Sequence, residues 1–157
     1  MDNHSKDIRS YNMSRIRSKN TKPEELVRKF LFTAGFRYRK HDKRFPGHPD
    51  IVLPKYKTII FVNGCFWHGH RECRYFIWPK TNLEYWQRKI NGNIERDKNT
   101  YTFLQELGWN VIIIWECKLK KDKRERTLFD LVDSIQLNQD MGGAQAEQSS
   151  QKGSPHI

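Results

Sequence analysis

The residues best suited to chemistry in this sequence fall into two groups, one soft and one hard. Cys65, His70 and Cys73 lie in GCFWHGHREC, a C-x4-H-x2-C spacing that lets one short loop fold around a single ion. Cys117, just after the run WNVIIIW, is a natural fourth ligand. Thiolates and a neutral imidazole suit zinc, and a centre filled by four protein groups is structural because no position is left for a reacting water. The alternative is three buried, reduced cysteines. A disulfide framework would leave one of the three unpaired.

His68 shares this loop but is not needed as a ligand if Cys117 completes the set. It is then free to take a proton from water near neutral pH, the step that makes a nucleophile for phosphodiester hydrolysis. A packing or zinc-binding role is the alternative. Asp50, in FPGHPD, opens a strand after a Pro-Gly turn, beside the strand that ends at Val62 and Asn63. A carboxylate at a hairpin end, near exposed carbonyls, is a hard-oxygen site for Mg²⁺. The Pro-Asp pair matches the start of the PD-(D/E)XK nuclease signature, but the second acid and the lysine are missing, and a simple turn is the rival reading. Phe66, Trp67, Tyr75, Phe76, Trp78, Tyr85 and Trp86 crowd the loop and the helix after it, interleaved with Arg71, Arg74, Lys80, Arg88 and Lys89. Such a surface suits base stacking with phosphate contacts alongside; a satellite core around the loop would use the same rings. Glu95, Arg96 and Asp97, by spacing alone, form a solvated helix face.

These side chains need elements to hold them. Thr21-Lys22-Pro23-Glu24 reads as a capping box that opens a helix through Leu26, Val27, Phe30, Leu31 and Ala34, with Gly35 as its left-handed stop. Strands are expected at Phe36 to Lys40, Asp50 to Leu53 and Thr58 to Val62, the last two forming a hairpin, with TIIFV central and covered on both faces. Residues Asn63 to Pro79 form an irregular loop. Thr81-Asn82-Leu83-Glu84 reads as a second capping box, opening a helix to Leu107 that is closed by Gly108, with a kink expected at Asn91-Gly92-Asn93. Trp109 to Trp115 is a buried strand, and Lys123 to Leu137 has helical spacing. The order is α-β-β-β-α-β-α: one α/β domain at 21–137, preceded by a flexible basic arm at 1–20 and followed by a disordered tail at 138–157.

The 157 residues suffice for one core. Lys and Arg number 29 against 18 acidic residues, a formal charge of +11 that points to a polyanionic partner. An anionic membrane is disfavoured, since no span, signal segment or lipidation motif appears. The expectation is a cytoplasmic protein.

Several of these stretches, in one order from about Arg9 to Leu119, resemble the very short patch repair (Vsr) mismatch endonucleases: RSYNMSRIRSKNTKPE, FPGHPDIVLPKY, IIFVNGCFWHGHREC, EYWQRKINGNIERD and LQELGWNVIIIWEC. The resemblance implies a restriction-endonuclease-like core, catalytic Mg²⁺ and structural Zn²⁺. It implies that Asp50 and the Val62 backbone carbonyl bind Mg²⁺ and that His68 is the general base. Glu24 would support the catalytic face on the arm side, while Asn93 and Asp97 would orient waters at the metal or His68. Zinc would sit on Cys65, His70, Cys73 and Cys117. Phe66, Trp67 and Trp86 would wedge into the mismatch from the major groove, with Met13 and Ile16 of the arm approaching from the minor groove.

Asn63 stands where some members carry a histidine; it can donate hydrogen bonds but cannot titrate, so the catalytic assignment leans on His68. The implied activity is nicking of one strand at T:G mismatches left by 5-methylcytosine deamination, by a bacterial monomer that joins the nucleoid when acting, with mismatch-repair proteins as further partners. A site-specific restriction or nicking endonuclease on the same core, and a non-catalytic zinc DNA-binding module, are the rival readings.

Overall fold

The computed structural model describes residues 20–152, with side chains described through residue 139. Met13, Ile16 and almost all of the arm lie outside the described residues.

Helix α1, Lys22–Thr33, begins at the expected box: the Thr21 hydroxyl accepts from the Glu24 N–H at 3.4 Å, and the Glu24 carboxylate accepts from the Thr21 N–H at 3.2 Å. Gly35, at φ +96°, turns the chain out of the helix. Three strands follow: β1 (Arg39–Lys40), β2 (Ile51–Leu53) and β3 (Thr58–Asn63). A 3-10 turn at Pro54–Tyr56 and a left-handed Lys57 at φ +51° close the antiparallel β2–β3 hairpin. β1 is shorter than the Phe36 to Lys40 expected. Only Arg39 and Lys40 pair with β2, while Phe36 leaves the ladder to pack in the core.

After the irregular stretch that follows β3, helix α2 spans Leu83–Glu106 and continues through Asn91-Gly92-Asn93 without a break. The expected second capping box is absent. Asn82 adopts a left-handed conformation at φ +55° and is itself the N-cap, so the helix starts one residue too late for Thr81 to bond to it. Strand β4 (Asn110–Trp115) returns parallel to β3, and helix α3 begins at Arg124. α3 continues to Lys152, correcting the expected end near Leu137.

The sheet order is β1-β2-β3-β4, which makes β3 an inner strand. Its side chains alternate between two cores. Ile60 joins Val27, Leu31, Leu128, Leu131 and Ile135 on the α1/α3 side, whereas Ile59 and Phe61 join Val52 and Leu104 on the α2 side. This three-layer α/β/α packing explains why TIIFV is apolar throughout instead of alternating. It also brings the C-terminal ends of β3 and β4 side by side, with Asn63 opposite Trp115.

Candidate active site and zinc centre

Both groups of chemical residues gather at that end of the sheet. The donor atoms of Cys65, His70, Cys73 and Cys117 all lie within 4.8 Å of one another. Cys65 follows the end of β3, Cys117 sits in the turn after β4, and the intervening loop brings in the other two. A tetrahedral zinc places sulfur and nitrogen ligands about 3.5 Å apart. Cys117 Sγ and His70 Nδ1 are separated by 3.5 Å, so the donors fit the ion in both chemistry and spacing. Burial pushes the Cys65 thiol up to about 12, a large cost for a bare thiolate that a bound cation would offset. The His70 ring stacks flat on Trp115, centroids 4.0 Å apart, which fixes its orientation. This Cys₃His cluster points to a structural zinc.

His68 stays outside the cluster, as expected. Its Nδ1 lies 2.6 Å from Asp97 Oδ2, which fixes the tautomer: Nδ1–H donates to the carboxylate, leaving Nε2 free to accept a proton. Asp97 therefore departs from the solvated face that spacing suggested, whereas Glu95 and Arg96 remain exposed. Asn93 donates to the Trp67 carbonyl at 3.0 Å, tying α2 to the backbone just before His68. Gly69 is required here: at φ +60°, a Cβ would stand 2.4 Å from Ile94 Cδ1.

Asp50 lies at the N-terminal end of β2. One of its oxygens accepts from the Val62 N–H at 2.7 Å. In extended backbone, a residue's N–H and C=O point to the same side, so the Val62 carbonyl faces the Asp50 side of β3. Burial raises the Asp50 carboxyl to about 6; the Val62 hydrogen bond opposes this, Glu24 adds to it, and the His41 and His68 rings pull it back. A carboxylate so short of solvation suits a cation partner.

The sequence reading missed two groups. The first is His41, whose imidazole Nε2 meets the Glu24 carboxylate; the donor atoms of Glu24, His41 and Asp50 lie within 4.8 Å of one another. Its signal was the register: Lys40 pairs with Ile51, which sets His41 beside Asp50. Glu24, 1% exposed, is further held by Arg28 at 2.8 Å. The second is Tyr101, whose hydroxyl oxygen accepts from Asn63 Nδ2 at 2.7 Å. Burial raises this phenol to about 12, so it keeps its proton. A cavity of about 540 Å³ opens beside it, lined by His68, Asp97, Arg71, Lys98 and Trp115 among others.

Phe66, Trp67 and Trp86 form one mutually packed group, with centroids 5.3 to 5.8 Å apart, and each ring remains half-buried. Ile77, in the same region, is 73% exposed.

Residues 1–74 match the family model described as DNA mismatch endonuclease Vsr. The chain is 50% identical over 132 residues to the type II nicking enzyme V.NmeAIP of Neisseria meningitidis, covering 81% of this chain and 94% of that one. It is 47% identical over 118 residues to the type II nicking enzyme V.XorIIP of Xanthomonas oryzae, covering 75% and 86%. It is 44% identical over 119 residues to the DNA mismatch endonuclease Vsr of Escherichia coli, covering 76% of each.

The chain belongs to the Vsr family of DNA endonucleases. The reading as a non-catalytic zinc module is thereby set aside: the protein is an enzyme and its substrate is DNA. The relatives are bacterial, and among the described residues no helix is long and apolar enough to cross a membrane.

Proposed function

We propose that this chain nicks one strand of duplex DNA at T:G mismatches arising from 5-methylcytosine deamination, as the incision step of very short patch repair. The observation that carries the reading is the His68–Asp97 pair at 2.6 Å with its free Nε2, at the same end of the sheet as the half-buried Asp50 carboxylate.

Asp50 and the Val62 carbonyl would hold Mg²⁺, which when bound supplies positive charge to the scissile phosphate. His68 Nε2 takes a proton from the attacking water as its oxygen bonds to phosphorus. The P–O3′ bond breaks in line, and the departing oxygen gains a proton to leave a 3′-hydroxyl and a 5′-phosphate. Asp97 stabilises the imidazolium so formed. Glu24 braces the Asp50 side through His41 and Arg28, and Asn93 braces the His68 loop through the Trp67 carbonyl. Phe66, Trp67 and Trp86 would insert at the faulty pair, with Met13 and Ile16 of the arm entering from the other groove. Unstacking costs a few kcal/mol per step and less at a wobble pair, so deformability contributes to discrimination.

The names of the two nicking-enzyme relatives favour a second reading, a site-specific nicking endonuclease acting on matched DNA. A strand-resolved nicking assay with Mg²⁺ on duplexes differing only in T:G, T:A or C:G at one position separates the two. We expect cutting of the T:G duplex at least about a hundredfold faster than the matched ones, which is about 3 kcal/mol of differential transition-state binding. Equal rates would replace mismatch repair with the second reading. The target sites would be those of a companion 5-methylcytosine methyltransferase, with mismatch-repair proteins as later partners.

A further inference from the structure

His41 has φ +50°, a left-handed conformation uncommon outside glycine. That turn directs its ring off the end of β1, while its N–H donates to the Asp50 carbonyl at 3.3 Å. The ring ends against Glu24, and its donor atom lies within 4.8 Å of those of Glu24 and Asp50. Around an octahedral ion, ligand atoms stand about 3 Å apart as neighbours and about 4.3 Å apart across the ion. The three donors, all within 4.8 Å of one another, are close enough that small side-chain adjustments bring them to those spacings. Arg28 pairs with Glu24 at 2.8 Å, and an imidazole adds a third donor beside the two carboxylates without adding another anion to the site. Mg²⁺ demands oxygen ligands and keeps several waters, whereas first-row transition ions accept imidazole readily.

We propose that His41 is a nitrogen ligand of the Asp50 metal site, completing an Asp50–Glu24–His41 set that selects a first-row divalent ion of the Mn²⁺ type over Mg²⁺. This rests on the reading of Asp50 as a metal ligand and adds the imidazole, the selectivity and a ligand role for Glu24 in place of the bracing one given above.

The test titrates zinc-loaded, full-length protein with Mn²⁺ and with Mg²⁺ by calorimetry, and records pulsed electron paramagnetic resonance of the bound Mn²⁺. The variants are His41→Gln, His68→Ala and Asp50→Asn, each checked for zinc content and circular dichroism. Wild type should bind Mn²⁺ at least about tenfold more tightly than Mg²⁺ and show nitrogen coupling to the Mn²⁺. His41→Gln should erase the coupling and most of the preference while changing Mg²⁺ affinity by less than about threefold; His68→Ala should retain both. A wild-type spectrum without nitrogen coupling, or one that His41→Gln leaves unchanged, overturns the proposal while leaving Asp50 as a ligand. If Asp50→Asn binds Mn²⁺ as well as wild type, the underlying reading of the site fails as well. Should His41→Gln lose its fold, the wild-type and His68→Ala spectra still decide: coupling absent from either overturns the assignment.

Discussion

In the proposed reaction, Asp50 joins fold stability to activity through one proton. Its carboxyl sits at about 6 in the folded chain against 3.8 ordinarily, so folding favours the protonated form. The ionised group is therefore a cost to the metal-free fold, fully present above about pH 6 and fading as pH falls toward about 4. Asp50→Asn should abolish nicking yet raise the metal-free melting temperature at about pH 7.5, with the gain vanishing near about pH 4; calorimetry across that range checks the sign. The same proton competes with a cation, so divalent-ion affinity should weaken below about pH 6. At His68 the expectation is kinetic. Asp97→Asn presents the wrong tautomer and should lower kcat about 10²- to 10⁴-fold with little change in KM for a T:G duplex. Asp50 and His68 were legible because aspartate after a turn and histidine in a metal loop carry their own chemistry. His41 was not, since its relevance comes from a cross-strand register, and Asp97 looked like surface because its partner lies 29 positions away.

The loop between β3 and α2 has no helix or strand of its own, so single backbone and ligand positions matter. Gly69→Ala would force a Cβ to 2.4 Å from Ile94 Cδ1 at a left-handed φ, and should destabilise the protein by about 1–3 kcal/mol, read from urea unfolding. Cys117→Ser should release the ion and expose residues 64–74 to protease, with zinc measured by elemental analysis. Apolar patterning revealed α1, β2, β3 and β4 because burial is what these elements live by. It failed at the start of α2, where Asn82 turns the chain in a left-handed conformation that no hydroxyl cap announces.

Across the whole molecule, the +11 charge should make DNA binding strongly salt-dependent, with log affinity falling linearly against log salt as phosphates are neutralised; a flat response in a filter-binding assay would deny the polyanion reading. Composition alone disclosed that partner, while the α/β/α layering needed the alternation along β3 to be seen. Cys65 and Cys117 stand 52 positions apart, each just beyond one of two adjacent parallel strands. An ion shared between them closes the β3–α2–β4 crossover into a circuit, much as a disulfide would, a constraint on the unfolded chain of about 4 kcal/mol for a loop that long. His68 and Asp97 lie inside this circuit; Glu24, His41, Asp50 and Val62 lie outside it. Opening the circuit should thus disarm proton transfer while the carboxylate pocket keeps its grip on a divalent cation, making the protein's two halves separable by a zinc-selective chelator.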